Sequence, residues 1–511
     1  MLKRLVQNTV ISAIVFGAVA VLGVVVIPII IRTWGVTEFG LIVLARLLLP
    51  SGLLGIIDFG LPEVTTQVVA RAREHRNWAI GGSQLLLLTI VSVLLAGTLS
   101  ALSWFMIPLM VAQFKIEPAH VASFTDILRY TTAANLLLFP ALVWEGVVKG
   151  FERYGLLRVA EFFTTALYVA ATIYVANAGY PYEVVAYCFL GSNVLRALIL
   201  LGSATAAFQR YRTTLSMPSR DVRKDVLTRC LLVMQGKLIG GIIAPIQPFL
   251  IGIYLGPQSV GIYDTLVRIP RLVKVVASLL TSALLPVVSR LDQRANVKQF
   301  NRFGEAGIAL LPMVTVPPMV AAAVLSPAIM QIWIGPQITP YAHWMGVMFV
   351  VAMSAQYVIF GNTLFMTRTK VQSRLNWLMS IQLAIWAVVT FATAQWLGER
   401  AYILGQAIGT VATLPWQLSI FVKELQIAPK KFLVAICAHL AILALGAVML
   451  AAFLHFRAYP GIVMIAILMC AYSAAAWIAQ YFLVLDRKER SLFLDFGRSF
   501  LGRPDASPAI L

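Results

Sequence analysis

Charge is scarce in this chain. Asp, Glu, Lys and Arg make up 12% of its 511 residues, about half the ~25% of a soluble globular domain. Acids are scarcer still, 21 against 40 Lys and Arg, for a net charge of +19. Cysteines number four, Cys188, Cys230, Cys437 and Cys470. They are far apart, form no CxxC pair, and read as small apolar packing residues. The five histidines are scattered without ligand spacing, so no metal site is expected. A phosphate-binding loop is missing too: Gly236-Lys237 is followed by Leu238 and lacks the upstream glycine. No HExxH and no Ser/His/Asp arrangement occurs. These gaps argue against an ATPase, a hydrolase and any cofactor. The first apolar run, Val10 to Ile31, is too long for the apolar core of a cleaved signal and reads as a membrane span.

What the chain has is apolar length. Hydrophobic residues make up 60% of it, and mean hydropathy is +0.86. Runs of about 20 apolar residues, enough to cross a bilayer, recur from end to end. The expected class is an all-α polytopic membrane protein with fourteen spans, near 9–31, 40–61, 80–104, 127–148, 157–178, 184–207, 231–254, 262–286, 305–329, 342–365, 376–397, 402–422, 432–454 and 461–484. The N-terminus and alternate loops carry 29 Lys and Arg, the opposite loops 4, and 7 lie within spans. That asymmetry places both termini in the cytoplasm. It explains most of the positive charge as topology, with no nucleic-acid partner. The opposite loops are short, which leaves no room for a membrane glycosyltransferase or polymerase site.

The longest inner loop, 209–229, divides the chain. The expected organisation is an N-terminal lobe over 1–208, a linker over 209–229, a second lobe over 230–424, two added helices over 425–485 and a basic tail over 486–511. The two lobes share a pattern. PIIIRTWGVTEFGLIVLARLLLP (28–50) and PFLIGIYLGPQSVGIYDTLVRIP (248–270) each run from a helix end through a glycine pair into a helix carrying an Arg. The pairs are Gly35 with Gly40 and Gly256 with Gly261. With one residue of slippage they fit parallel six-helix repeats.

A cation at bilayer depth costs about 2.5–3.5 kcal/mol on insertion scales, so it faces a wet cavity or a partner. The in-span cations are Arg46, Arg129, Arg196, Lys237, Arg268, Arg271 and Lys274. In YDTLVRIPRLVKVV (263–276), the residues Asp264, Arg268, Arg271 and Lys274 fall within an arc of about 120° at 100° per residue. One acid cannot neutralise three cations, and guanidinium forks suit phosphate. The stripe is therefore expected to line an anion cavity, with Asp264 as an ion-pairing or coupling group. Arg46 and Lys237 join the candidate set. Arg196 reads as a packing ion pair and Arg129 as interfacial.

Several segments carry a family resemblance: PIIIRTWGVTEFG with GIIDFGLPEVTTQVVARARE (55–74), WEGVVKGFERYGLLRVAE (144–161), LGPQSVGIYDTLVRIP (255–270) and LSPAIMQIWIGPQ (325–337). They resemble the polysaccharide transporter family, the Wzx-type O-antigen flippases of the multidrug/oligosaccharidyl-lipid/polysaccharide exporter superfamily. The resemblance implies two six-helix lobes in a V around a central cavity, with two helices outside. It also implies alternating access that moves a polyprenyl-diphosphate-linked oligosaccharide across a bacterial inner membrane, with membrane lipids and polysaccharide polymerase machinery as partners. The first, second, seventh and eighth helices would line the cavity. An ion-coupled multidrug exporter is the alternative, and it would need an excess of in-span acids.

Overall fold

The computed structural model describes residues 2–210, 216–282, 297–365, 368–455, 461–485 and 490. Among the described residues, regular structure is helical. Ten helices are long and apolar enough to cross a membrane. Of the other four expected spans, those near 40–61 and 231–254 are broken into shorter helices, that near 402–422 is one helix over Arg400–Glu424, and that near 262–286 lies on a helix over Pro257–Ser282, with 283–286 outside the described residues.

The chain divides into two compact units, Met1–Thr265 and Leu266–Leu511. This division lies inside a helix, between Thr265 and Leu266. Unit 1 holds α1 (Leu2–Thr33), α2 (Val36–Arg46), α3 (Leu61–Glu74), α4 (Trp78–Gln113), α5 (Pro118–Gly150), α6 (Tyr154–Asn177), α7 (Tyr182–Arg210), α8 (Arg220–Gly241), α9 (Ile243–Leu255) and the start of α10 (Pro257–Ser282). Its core joins Leu61, Val64, Val68 and Val69 of α3 to Leu88 of α4, Val143 and Val147 of α5, Ala204 of α7 and Cys230 of α8. Gly146 and Gly150 let α5 lie directly on α3: a Cβ at these positions would come within 2.6 Å of Thr65 and 2.5 Å of Val69. Small residues four apart are the usual device for close helix approach in lipid.

Unit 2 contains α11 (Val297–Val324), α12 (Ser326–Trp333), α13 (Ala342–Leu364), α14 (Thr369–Leu397), α15 (Arg400–Glu424), α16 (Pro429–His455) and α17 (Ile462–Leu483). Phe300, Phe360, Phe365 and Phe421 form its inner core. The last two helices pack on α11 through Ala321, Leu325, Leu450 and Ile465. Their outer surfaces stay apolar and exposed, as at Val434, Leu445, Ile462 and Leu483, which suits lipid-facing helices.

The second expected span, 40–61, is not one helix. It breaks after Arg46, passes through turns and a 3₁₀ segment at Leu53–Ile57, and restarts at Leu61. Pro50 has no N–H to continue the ladder. Gly52 and Gly55 let the chain fold back against the carbonyls of Arg46 and Pro50, and Gly60 takes a left-handed φ of 62°. The freed carbonyls are satisfied locally. Leu53 N–H donates to Leu47 O at 2.9 Å, and the Asn135 amide of α5 donates to Leu48 O at 2.6 Å. Unwound backbone at membrane depth survives when such partners are supplied. The seventh expected span is likewise two helices, α8 and α9, which meet at Ile242 after a Gly-Gly pair and just before Pro245.

The paired glycine turns match in detail. Gly35 (φ 118°, ψ 172°) precedes α2, and Gly256 (φ 89°, ψ 177°) caps the end of α9 just before α10. Both conformations are open to glycine and strained for other residues. Five residues on, Gly40 lies against the Pro257 carbonyl and Gly261 against the Val36 carbonyl. Each helix thus presents its glycine to the first residue of the other.

Candidate functional site

The in-span cations have different partners, and those partners sort them. Arg129 pairs with Asp126 at 3.3 Å, and both side chains are about half exposed, as an interfacial residue would be. Arg196 reaches Glu145 at 3.1 Å, and Lys149 holds the same carboxylate at 2.7 Å. That is the packing ion pair expected for Arg196.

Lys237, on α8, departs from expectation. Its ammonium lies 2.7 Å and 3.0 Å from the two Asp58 oxygens and 3.0 Å from Glu63. Asp58 is buried and also accepts from the Gly60 N–H at 2.9 Å. Nothing along the sequence signals that the break sets both acids against α8. With two carboxylates on one ammonium, Lys237 has little positive field left for an external anion.

Arg46 is the opposite case. It is the last residue of α2, at the edge of the break. Its guanidinium carbon lies 3.9 Å from the Phe189 ring centre and 5.8 Å from that of Tyr168. Nη2 donates to the Tyr168 hydroxyl at 2.9 Å. The two rings meet edge to face, 5.3 Å apart. Nε is buried without a hydrogen-bond partner, and Arg46 forms no ion pair with a carboxylate of the described residues. Tyr168 on α6 and Phe189 on α7 were not singled out from sequence. An aromatic in an apolar span carries no mark of what it stacks on.

The predicted stripe lies on α10, a single helix with Pro270 inside it. Asp264 is buried, Arg268 and Arg271 are half-buried, and Lys274 is exposed.

The comparisons with known proteins agree with this architecture. A family profile described as polysaccharide biosynthesis protein matches residues 5–292. No curated protein matches the chain by sequence. Among solved structures, the lipid II flippase MurJ in an inward closed conformation is similar at a TM-score of 0.70 and 12% identity, covering 96% of this chain and 100% of that one. An inward-facing multidrug resistance MATE family transporter of the MOP superfamily gives 0.61 and 17%, over 82% of this chain and 96% of that one. A MOP superfamily transporter from Pyrococcus furiosus with a reversed polarity of its binding pocket gives 0.60 and 17%, over 83% of this chain and 96% of that one. At these identities the likeness is one of fold.

Proposed function

We infer the function from the premise that the chain belongs to the polysaccharide biosynthesis protein family: it is a transporter that flips a polyprenyl-diphosphate-linked oligosaccharide from the cytoplasmic to the periplasmic leaflet by alternating access. The observation that carries this reading is Arg46. A cation at membrane depth is costly unless a partner or wet cavity meets it. Every other in-span cation of unit 1 faces a carboxylate, and among the described residues Arg46 does not. Its natural counter-charge is an anion that comes and goes. Discontinuous helices are where transporters place such sites, and Arg46 ends the first half of one.

The cations of α10, Arg268, Arg271 and Lys274, are assigned to anion binding, with Asp264 as their internal counter-charge. Lys237 is assigned instead to an ion cluster that closes on Asp58 and Glu63. Guanidinium forks replace the water lost by phosphate oxygens. Outward travel of an anion from an interior-negative compartment is downhill by about 2.3 kcal/mol per charge for each 100 mV.

The test is flux in proteoliposomes. The protein is reconstituted with a labelled polyprenyl-diphosphate oligosaccharide, and exposure to an external sugar-binding probe is followed over time. Flux in wild type and its loss in thermally normal Arg46→Gln and Arg268→Gln/Arg271→Gln/Lys274→Gln proteins is the expected result. Unchanged flux in both variants would remove the cations from the mechanism. No flux in wild type would favour a small-molecule exporter, which the MATE-like fold also supports.

A further inference from the structure

We propose that Tyr168 is a second donor to the anion held by Arg46, so that the two side chains form one phosphoryl-oxygen subsite seated on the Phe189 ring. The inference rests on the diphosphate reading above and adds a residue from α6 to it.

The argument begins with how the guanidinium is held. Stacking uses its face: the Phe189 ring lies 3.9 Å from the guanidinium carbon. The donors of an Arg point outward in its plane, so a stacked guanidinium keeps its edge free to bind. One of those edge donors goes to the Tyr168 oxygen at 2.9 Å. No other hydrogen bond ties the Arg46 side chain to the described residues.

The direction of that bond matters. Arg has no acceptor, so the tyrosine oxygen accepts and its own O–H proton is left to be donated elsewhere. Among the described residues, no acceptor receives that proton. Tyr168 is itself 5% exposed, and its ring is fixed edge to face against Phe189. A buried hydroxyl polarised by a cation, with its proton unspent, is a strong donor to a charged oxygen. Arg46 and Tyr168 therefore offer adjacent donors on neighbouring helices. A phosphoryl group, which carries several acceptor oxygens, can take both at once. Were Arg46 present only to favour the C-terminal end of the α2 dipole, a lysine would serve as well, and neither the flat stacking surface nor the hydroxyl would be required.

The experiment is isothermal titration of the full chain in detergent with geranyl diphosphate and with geranyl monophosphate, for wild type, Tyr168→Phe, Arg46→Gln, Arg46→Lys and the Arg46→Gln/Tyr168→Phe double variant. Tyr168→Phe keeps the ring and its packing, and each variant's thermal midpoint is measured alongside. Wild type should bind the diphosphate. Tyr168→Phe should weaken that binding about 10-fold, the size of one hydrogen bond to a charged group, and lower the preference for diphosphate over monophosphate. A purely structural role would not move that preference. The double variant should bind no worse than Arg46→Gln, because the hydroxyl acts with the guanidinium. Arg46→Lys, which keeps the charge and loses the fork, should stay well below wild type. Wild-type affinity in Tyr168→Phe together with weakened Arg46→Gln would overturn this proposal and leave the diphosphate reading standing. No binding by wild type, or equal binding by every variant, would overturn both.

Discussion

The two ends of the second span carry the same problem and solve it differently. At one end, Asp58 and nearby Glu63 bring two negative charges to α8, and Lys237 neutralises them within 2.7–3.0 Å. At the other end, Arg46 brings a positive charge and, among the described residues, meets aromatic rings and a hydroxyl but no carboxylate. An internal ion cluster is complete and holds structure together. A cation without an acid has its desolvation only partly offset, which leaves its side chain able to respond to a charged ligand. The difference between these ends separates cations that serve the fold from the cation assigned to transport.

The largest stability effect should come from breaking the Asp58 end. Lys237→Met leaves buried Asp58 and half-exposed Glu63 without their cation. Removing one partner of a buried pair costs 3–5 kcal/mol, and partial exposure places this one near the low end, about 3 kcal/mol. The thermal midpoint in detergent should fall accordingly. Lys237→Met/Asp58→Asn should recover part of the loss, since it removes the stranded buried charge. A Lys237→Met midpoint equal to wild type would show that the cluster does not hold the break against α8.

A smaller effect is expected where α2 begins. Gly40 lies against the Pro257 carbonyl, so Gly40→Ala forces the two helix starts apart. Overpacking of this kind costs about 1–3 kcal/mol. Gly17 of α1 has nothing within 4 Å of its Cβ position, and Gly17→Ala should be neutral or stabilising by about 0.5–1 kcal/mol. Equal midpoints for the two variants would mean that the crossing is loose.

How much of this was legible in the sequence depends on the kind of signal. Apolar length marked the ten long helices, and the glycine pairs marked the matched turns, because each is a local property of the chain. The stripe on α10 was legible because helical periodicity converts spacing into a shared face. The break in the second span was not read, although Pro50, Gly52, Gly55 and Gly60 were all in view. Each alone is tolerated in a membrane helix; what tips the balance is Asn135, 87 residues away, donating to Leu48 O. The partners of Lys237 lie 179 residues away for Asp58, and those of Arg46 lie on α6 and α7. Contacts of that range are set by packing between helices, and spacing along one helix says nothing of them.

The smallest stability effect belongs to the residue assigned the largest functional one. Arg46→Gln removes a cation–π contact worth about 0.5–1 kcal/mol and a hydrogen bond worth about 1 kcal/mol. It also removes a charge that no carboxylate offsets, along with the unpartnered Nε, and both of those changes favour the variant. The opposing terms are similar in size, so the thermal midpoint should move by no more than about 1 kcal/mol equivalent in either direction. Flux of the lipid-linked oligosaccharide should nonetheless fall by at least 10-fold, because the guanidinium contributes when the diphosphate is bound and adds little to the empty fold. A residue that serves structure behaves in the reverse manner, as Lys237 is expected to. If Arg46→Gln destabilises the protein as strongly as Lys237→Met does, the contrast between the two ends of the span disappears, and Arg46 becomes one more packing residue. If it leaves both stability and flux untouched, the anion is held elsewhere, and the cations of α10 must carry it alone.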